Sequence, residues 1–518
     1  MRYAVNSSEM KSYDRNTSEF FGLSSDVLME RAALKVCDHI KEWADEHNSQ
    51  RKLRALIVSG TGNNGGDGVA ISRLLKQSGF LVNLCIVGDF TNLSDMALKQ
   101  LRIAEKYGII GDTFSNIRDN KNTSEWDIIV DAIFGIGLSR AATGDFKEAI
   151  DYINECKKER ADDLYVVSVD MPSGVSADNG QVLGCAVKAD ATITFNQTKI
   201  GQILYPGCEY AGKLFVEDVG ITDESFRGKT PGAFFYDEDA TNLLPERKKD
   251  GNKGTNGKVL IIAGSKEVSG ACVLCASACL KAGAGMVRIF TAKENAEAVK
   301  TLLPEAMLDT YEDYQVATES LDKAFEWSTC LVIGPGIGTG PRGAELVEHV
   351  LTRYDKDVLM DADALNILSM DEKLKNLASN YSRNGRRLIL TPHLAEFARL
   401  IGRNVGDCKS NLLEYPLVLA KTMHCTIICK DARSIVADSN EKKIYINVSG
   451  NDGMATAGSG DVLSGIIGAF FSFGKSGFET ATLGAYVHGA AGDVAMARRG
   501  RYSMIASDII DSLKDILV

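Results

Sequence analysis

The chain lacks several features that would point to other classes of protein. Its 518 residues include 58 Lys and Arg against 69 Asp and Glu, a formal net charge of −11. This balance leaves no basic stripe for a nucleic acid or an anionic membrane. No stretch reaches the run of about 18 apolar residues that a spanning helix needs, and the polar N-terminus lacks the apolar segment of a secretory signal. We expect a cytoplasmic protein with no nucleic-acid partner and no membrane segment.

The 12 cysteines lack the spacing of a disulfide framework. Cys272, Cys275 and Cys279 are separated by three and four residues in an Ala-rich helical pattern, so they share one helix face. We interpret these three thiols as core packing rather than as a metal or redox site. A reducing compartment fits this use of cysteine.

The chain is too long for one hydrophobic core, and 45% hydrophobic with 25% charged residues is typical of globular proteins. Short apolar runs alternate with helical patterns such as Val69 to Gln77, which predicts βαβ units and parallel sheets covered on both faces. The predicted strands of the first half are Leu53 to Val58, Leu81 to Val87, Ile128 to Val130, Tyr165 to Val169 and Ala191 to Phe195. Those of the second half are Val259 to Ala263, Met286 to Phe290, Leu331 to Ile333, Val358 to Met360, Leu388 to Leu390 and Thr426 to Cys429.

The alternation breaks between about residues 223 and 256. This segment contains the polar, turn-rich sequences Arg227 to Gly232 and Pro245 to Gly254, which are typical of a boundary between domains. We therefore predict two α/β domains, residues 1–224 and 235–518.

The most informative segment runs from Asn451 to Gly465 and contains Gly458-Ser459-Gly460-Asp461. A loop of small residues that opens onto a helix directs unpaired N–H groups toward an anion such as phosphate. A carboxylate beside that anion suits a base that removes a proton from a substrate hydroxyl. The alternative is an ordinary turn in which Asp461 caps the helix.

A second glycine-rich turn, Gly60 to Gly68, follows the first predicted strand and contains G-x-G-x-x-G, with Asp89 where a ribose-binding acid is expected. Alone it favours a dinucleotide-binding oxidoreductase. Its paired amides, Asn63 and Asn64, favour another assignment.

Polar residues also follow later strands of the first half. The oxygens of Asn64 and Ser173 with the single carboxylate of Asp131 suit a weakly held monovalent cation. Asp170 is a candidate acid/base group. The alternative for each Asp is a turn residue or helix cap at the end of a strand.

In the second half, Gly334 to Gly338, Asp361 to Asn366 and Thr391 to Glu396 each follow a predicted strand. Because the carboxyl ends of parallel strands share one edge of a sheet, these loops are expected to converge. Taken singly, His393 is expected to be a capped or packed histidine, and the Asp residues of the second loop are expected to hold turns.

The motifs Asn63 to Gly68, Asp131 to Gly137, Val169 to Gly174 and Thr194 to Gly201 resemble the NAD(P)H-hydrate epimerase domain. The resemblance implies a Rossmann-like fold that binds hydrated NADH or NADPH, with Asp170 as acid/base group and Lys199 assisting. It also implies K⁺ bound by Asn64, Asp131 and Ser173. The residues it assigns to the hydrate are Asn63, Asn64, Gly65, Gly66, Asp67, Gly135, Ile136, Gly137, Leu138, Ser139, Arg140, Ala141 and Asp170.

The loops of the second half resemble the ribokinase-like ADP-dependent NAD(P)H-hydrate dehydratase, so that the resemblance to a bifunctional repair enzyme covers nearly the whole chain. It assigns to the hydrate Ala271, Gly336, His393, Leu394, Ala395, Glu396, Phe397, Ala398, Arg399 and Asp461. It assigns to the nucleotide Lys430, Asp431, Ala432, Arg433, Ser434, Gly458, Ser459 and Gly460. The chain departs from the family pattern in two places: it has Leu394-Ala395 where Pro-Gly is usual, and Asp431 where Gly or Ser is usual.

The function that this resemblance implies is repair of hydrated NADH and NADPH. The first domain would epimerise the R and S hydrates, and the second would dehydrate the S hydrate at the expense of ADP, releasing AMP and phosphate. Mg²⁺ is expected with the nucleotide, and a homo-oligomer is expected. The alternatives are an ATP-dependent ribokinase-like kinase of small molecules and a first domain that only binds a nucleotide and regulates the second.

Overall fold

A computed structural model describes residues 1–47, 51–119, 126–236, 240–247, 249–312, 318–383 and 385–517. The chain divides into two compact units. The N-terminal unit is Tyr3–Gly232, and the C-terminal unit is Ala233–Val518 with Met1–Arg2. Among the described residues, no helix is both long enough and apolar enough to cross a membrane.

The N-terminal unit contains a seven-stranded sheet in which every neighbouring pair of strands is parallel. Its strand order is β4-β3-β2-β5-β6-β7-β9. Strands β1 and β8 pair in parallel and set Val5 opposite Lys199. The strands are β1 (Arg2–Val5), β2 (Arg54–Ser59), β3 (Leu81–Ile86), β4 (Gly111–Thr113), β5 (Ile128–Ala132), β6 (Tyr165–Val169), β7 (Ala191–Phe195), β8 (Thr198–Lys199) and β9 (Lys213–Glu217).

Both faces of this sheet are buried. Ile57 and Val130 belong to a hydrophobic cluster on one face, whereas Leu56 and Ile129 belong to a second cluster on the other. Burial on both faces explains why these strands are continuous apolar runs rather than alternating patterns. The helices of the unit are α1 (Ser7–Arg15), α2 (Ser25–Glu46), α3 (Asn63–Gln77), α4 (Asp95–Lys106), α5 (Phe114–Asp119), α6 (Asp145–Arg160) and α7 (Ile200–Ile203).

In the C-terminal unit, the strand order is β13-β12-β11-β14-β15-β16-β17-β18-β19-β10. The first seven strands in this order pair in parallel with one another. Strand β18 runs antiparallel to both β17 and β19. The strands are β10 (Ala233–Phe235), β11 (Lys258–Ile262), β12 (Met286–Ala292), β13 (Met307–Tyr311), β14 (Cys330–Ile333), β15 (Asp357–Met360), β16 (Leu388–Leu390), β17 (Thr426–Cys429), β18 (Ile435–Asp438) and β19 (Ile444–Ile446).

Twelve helices of the C-terminal unit accompany this sheet among the described residues. Helix α8 carries Cys272, Cys275 and Cys279, all buried, which confirms their interpretation as core packing. The helices are α8 (Gly270–Lys281), α9 (Ala296–Leu302), α10 (Thr318–Trp327), α11 (Pro341–Arg353), α12 (Asp363–Met370), α13 (Glu372–Arg383), α14 (Leu394–Ile401), α15 (Val405–Ser410), α16 (Glu414–Met423), α17 (Ser459–Phe471), α18 (Gly477–Arg499) and α19 (Ala506–Ile516).

The predicted fold class is confirmed: both units are α/β, with an all-parallel sheet in the N-terminal unit and a mainly parallel sheet in the C-terminal unit. The strand order reverses between β2 and β5 in one unit and between β11 and β14 in the other. Ligands of doubly wound sheets bind outside the carboxyl ends of strands at such a reversal.

Two candidate active sites

The candidate site of the N-terminal unit lies at the carboxyl edge of its sheet. The turn after β2 leads directly into α3, which begins at Asn63 after Gly62. Gly65 packs so closely on this turn that a Cβ atom there would overlap the carbonyl oxygen of Gly60. No side chain of the described residues caps α3, so its first amide groups are available to an anion.

Asp170 lies in a buried network of hydrogen bonds. Its Oδ1 is 2.6 Å from Lys199 Nζ and accepts a hydrogen bond from Thr194 Oγ1 at 3.0 Å. Lys199 is only 1% exposed and also donates to Thr194 Oγ1 at 2.8 Å. Gln202 Nε2 donates to the carbonyl oxygen of Asp170 at 2.6 Å. The predicted acid/base group and the predicted assisting lysine are therefore in direct contact.

Two further carboxyl groups lie within electrostatic reach of Asp170. Burial raises the pKa of Asp67 well above its ordinary range, and the charges of Asp170 and Asp14 add to this. Burial, followed by the charge of Asp170, also raises the pKa of Asp14, while Lys199 lowers it.

Two of the three predicted cation ligands, Asp131 and Ser173, are in direct contact. Asp131 accepts hydrogen bonds from Ser168 Oγ and the Ser173 amide, both at 2.8 Å, and from Ser173 Oγ at 2.5 Å. Burial raises the pKa of Asp131 in spite of these hydrogen bonds. No cationic side chain of the described residues pairs with it. Asn64 Nδ2 is buried without a hydrogen-bond partner in the part of the chain that the structure describes.

The loop after β5 connects this cluster with Asp170. The Phe134 amide donates to Ser173 Oγ at 2.8 Å. A Cβ atom at Gly135 would lie 3.0 Å from Asn64 Oδ1 and 3.3 Å from Asp170 Oδ2, so both side chains flank this glycine. The rest of the predicted hydrate-binding loop lies farther toward solvent: Ile136 and Leu138 are half-buried, and Gly137, Ser139, Arg140 and Ala141 are exposed.

The candidate site of the C-terminal unit is built around the start of α17. Gly458 precedes this helix with a φ of 88°, a conformation that favours glycine. No side chain of the described residues caps α17. The Ser459 amide donates to the Thr456 carbonyl at 3.3 Å, whereas the amides of Gly460 and Asp461 have no backbone acceptor among the described residues and remain available. Asp461 lies in the first turn. Burial, followed by the negative charge of Asp361, raises the pKa of Asp461 to about 7.

A buried ion pair stands beside this turn. Asp361 is 1% exposed, and its Oδ1 lies 2.7 Å from Lys430 Nζ. Ser464 Oγ, one turn farther along α17, donates to Asp361 Oδ2 at 2.7 Å. Burial lowers the pKa of Lys430, but the charges of Asp361, Glu396 and Asp461 outweigh it and hold the pKa above its ordinary value. The ammonium therefore stays charged.

His393 and Glu396 form a capping box at the start of α14. His393 Nδ1 accepts from the amides of Ala395 and Glu396, and Glu396 Oε2 accepts from the His393 amide at 2.9 Å. The helix start is thus intact although Leu394-Ala395 replaces the usual Pro-Gly. Burial raises the pKa of Glu396 to about 7, and burial with the charge of Lys430 lowers the pKa of His393. His393 is a capping histidine, as the sequence led us to expect.

The other predicted residues differ in their access to a ligand. Ala271 and Gly336 are neighbours, because a Cβ atom at Gly336 would lie 3.0 Å from that of Ala271. Phe397 and Ala398 are buried in the core. Arg399 donates to Asn366 Oδ1 at 2.7 Å. The segment Lys430, Asp431, Ala432, Arg433 and Ser434 forms the turn between β17 and β18, and the Lys430 amide donates to the Pro392 carbonyl at 2.8 Å.

Three contacts of these sites were missed in the sequence. Nothing in the local sequence singles out Asp14, because its position depends on the pairing of β1 with β8. Asp361 was expected to hold a turn, as Asp363 does through the Gly338 amide at 2.9 Å, but it pairs with Lys430 instead. Ser464 is one small residue among many in an apolar helix. The position of Asp361 directly after a strand is a signal in the sequence, whereas no feature of the local sequence distinguishes Ser464.

Both units are similar to known proteins. Residues 259–515 match a family model described as NAD(P)H-hydrate dehydratase, and residues 25–201 match one described as YjeF-related protein N-terminus. The bifunctional NAD(P)H-hydrate repair enzyme Nnr of Moorella thermoacetica is 35% identical over 99% of this chain and 96% of that protein. The enzyme of the same name from Escherichia coli is 32% identical over 97% of this chain and 92% of that protein. A crystal structure of an ADP/ATP-dependent NAD(P)H-hydrate dehydratase from Bacillus subtilis is 26% identical and covers 54% of this chain and 96% of that one, with a TM-score of 0.46.

Proposed function

The chain belongs to the family of bifunctional NAD(P)H-hydrate repair enzymes, and from this membership we propose which unit catalyses each of the two reactions. The protein is an epimerase and dehydratase for hydrated NADH and NADPH. We assign epimerisation to residues 1–224 and ADP-dependent dehydration to residues 235–518. The observation that carries the second assignment is a carboxylate of raised pKa, Asp461, in the first turn of an uncapped helix beside the Lys430 ammonium.

Dehydration needs the hydroxyl of the hydrated ring to become a better leaving group. Asp461 takes the hydroxyl proton, and the hydroxyl oxygen then bonds to the terminal phosphorus of ADP as the bond to the AMP oxygen breaks. The available amides in the first turn of α17, beginning with that of Gly460, and the Lys430 ammonium stabilise the charge on the phosphoryl group during the transfer. The carbon–oxygen bond then breaks, phosphate leaves, and loss of a ring proton restores the double bond.

Epimerisation inverts the carbon that bears the hydroxyl, and this requires proton transfer at that hydroxyl. Asp170 is the group we propose for it, with Lys199 and Thr194 holding its Oδ1 so that Oδ2 is directed past Gly135. Burial raises the pKa of Asp67 and so favours its protonated form, and we propose that this carboxyl donates a hydrogen bond to the hydrate.

The residues predicted to hold K⁺ fit a monovalent cation. Asp131 is a buried carboxylate without a cationic neighbour among the described residues, and Asn64 is linked to Ser173 through the Phe134–Gly135 segment. One charge and several neutral oxygens suit a large, weakly held ion. K⁺ would neutralise Asp131 and fix the loop after β5. Epimerase activity should then depend on K⁺, and full activity in a buffer that holds only Li⁺ would contradict this proposal.

The described residues include no group of three His, Cys, Asp or Glu side chains that could hold a metal ion. In our proposal Mg²⁺ arrives with the phosphates of the nucleotide. The choice of ADP as donor rests on the sequence resemblance. A homo-oligomer, a cytoplasmic location and the absence of a nucleic-acid partner stay predictions.

The test of the assignment uses separated hydrates. Purified protein is given the S hydrate with Mg-ADP or Mg-ATP, and then the R hydrate with each nucleotide. We expect NADH, AMP and phosphate from the S hydrate with ADP, and the same products from the R hydrate because the N-terminal unit converts it first. A stable phosphorylated product would identify a small-molecule kinase instead, and a persistent R hydrate would identify an N-terminal unit that only binds and regulates.

Dehydration should become faster as the pH rises through about 7. Asp461 has a raised pKa of about 7 and accepts a proton only in its charged form. Below that pH, kcat should fall about tenfold for each unit. The measurement is kcat for the S hydrate between about pH 5.5 and about pH 9, and a flat profile would contradict the assignment. Glu396 also has a pKa of about 7, so Glu396→Gln is the control that should keep the midpoint.

A further inference from the structure

Asp361 has no role in the reaction as described so far, although it touches two parts of the dehydratase site. It follows β15 directly, and its carboxylate joins Lys430 at the end of β17 to Ser464 on α17. The contacts are 2.7 Å on each oxygen. The residue therefore ties the lysine to the helix that begins at the glycine loop.

The pair lies against the first turn of that helix. A Cβ atom at Gly460 would be 3.5 Å from Lys430 Nζ and 3.9 Å from Asp361 Oδ2. The ammonium is thus held beside the amides that face a bound phosphoryl group. An ammonium has three N–H donors, and the side chains and carbonyls of the described residues accept one from Lys430, at Asp361. The remaining donors are available to a ligand.

Stability alone is a weak reason for this arrangement. Removing two charges from water costs several kcal/mol for each ion, and apolar residues of similar volume often serve a core as well. The Lys430 ammonium keeps N–H donors that no described residue accepts, and it lies beside the first turn of an uncapped helix. Binding of the phosphoryl group explains this arrangement better than stability does. The hydrogen bond from Ser464 fixes the Asp361 carboxylate. The fixed carboxylate in turn restricts the movement of the Lys430 ammonium.

We propose that Asp361 is a positioning residue for the phosphoryl transfer, which holds the Lys430 ammonium against the group that passes from ADP to the hydrate hydroxyl. This inference rests on the proposed dehydratase function. Asp361 does not touch the substrate; it acts through Lys430 and, by its charge, through Asp461.

Several charged groups face the two residues on which Asp361 acts. Asp461 is subject to the charges of Asp361, Lys430 and Asp363, and of these only Lys430 lowers its pKa. Lys430 also faces Glu396, and the neutral rings of His393 and His488 lie within reach of its charge. Loss of the charge at Asp361 should therefore lower the pKa of Asp461 and move the acid limb of the pH profile downward.

The experiment uses Asp361→Asn in the full chain. With the S hydrate and Mg-ADP, kcat should fall about 100-fold, because a misplaced ammonium no longer stabilises the phosphoryl group. The acid midpoint of kcat should move down by about one pH unit. Epimerisation should be unchanged, because Asp361 lies in the other compact unit. A folded variant with the wild-type kcat and midpoint would overturn the proposal.

Asp357→Asn is a matched control. Asp357 begins the same strand, β15, and pairs with Arg387 at the opposite end of the strand from Asp361. Its loss should reduce the melting temperature without changing kcat or the pH midpoint.

If Asp361→Asn does not fold, Ser464→Ala tests the positioning role of Asp361. It removes one hydrogen bond to Asp361 and keeps both charges, so kcat should fall on the order of tenfold with the midpoint unmoved. A wild-type kcat in this variant would overturn the proposal. Absence of dehydration in the wild-type protein would instead contradict the proposed function.

Discussion

Asp461→Asn is expected to abolish ADP-dependent dehydration while epimer exchange continues at the wild-type rate. The amide is nearly the same size as the carboxylate but cannot take the proton of the hydrate hydroxyl. General base catalysis of this kind contributes about 10² to 10⁴ in rate, so we expect a loss of about 10³-fold in kcat. The measurement is the recovery of NADH from the S hydrate with Mg-ADP, followed by its absorbance.

The control is Asp452→Asn, which changes an acid of the same loop. Asp452 lies at the surface and pairs with Arg501 at 3.1 Å, so its loss should leave dehydration unchanged. KM for ADP should vary little in Asp461→Asn, because the amides of α17 and the Lys430 ammonium remain. A dehydration rate within a few-fold of wild type would remove Asp461 from the role of base. Loss of epimerisation as well would indicate a folding defect rather than a missing base.

Most of the parallel sheets could be predicted from the sequence. The runs Tyr165–Val169 and Ala191–Phe195 are strands with the predicted limits, because strands buried on both faces form uninterrupted apolar segments. Seven of the eleven predicted strands differ from the structure at one end or both; β2, for example, begins at Arg54 and β11 at Lys258. In β2 and β11 the first residue is charged and only half-buried.

Short strands at the sheet edges could not be predicted in this way. Strands β4 and β10 have three residues each, and β8 has two. Their pairing depends on a neighbour distant in sequence rather than on their own apolar character. For β8 this neighbour is β1, nearly two hundred residues earlier in the chain, which pairs Val5 with Lys199.

The same limit applies to the candidate sites. Each glycine turn and each strand-end acid is a local pattern, so Asp461, Asp170 and Asp131 could be selected from sequence. The contacts that tune them are not local: Asp361 pairs with Lys430 across 69 positions and with Ser464 across 103. A sequence shows that an acid follows a strand, but the partner of that acid depends on strand order.

Asp170→Asn is expected to stop epimer exchange and to spare dehydration of the S hydrate. Asparagine tolerates the left-handed backbone at this position, where φ is 64°, so the variant removes the charge with little added strain. Without that charge the group cannot cycle between proton acceptor and donor, and Lys199 loses its ion-pair partner. We expect a loss of about 10³-fold in the rate of R-to-S exchange, measured by chromatographic separation of the two hydrates.

The matched control for this variant is Asp190→Asn. Asp190 precedes β7 and pairs with Lys157 at 2.8 Å, so it reproduces the loss of an Asp–Lys pair in the same unit at a distance from Asp170. Its exchange rate should stay near wild type. When a mixture of the two hydrates is given to Asp170→Asn with Mg-ADP, the S hydrate should be fully consumed and the R hydrate should remain, because the dehydratase acts on one epimer only. If both hydrates persist, the two activities share a site, and the division of labour between the units is wrong.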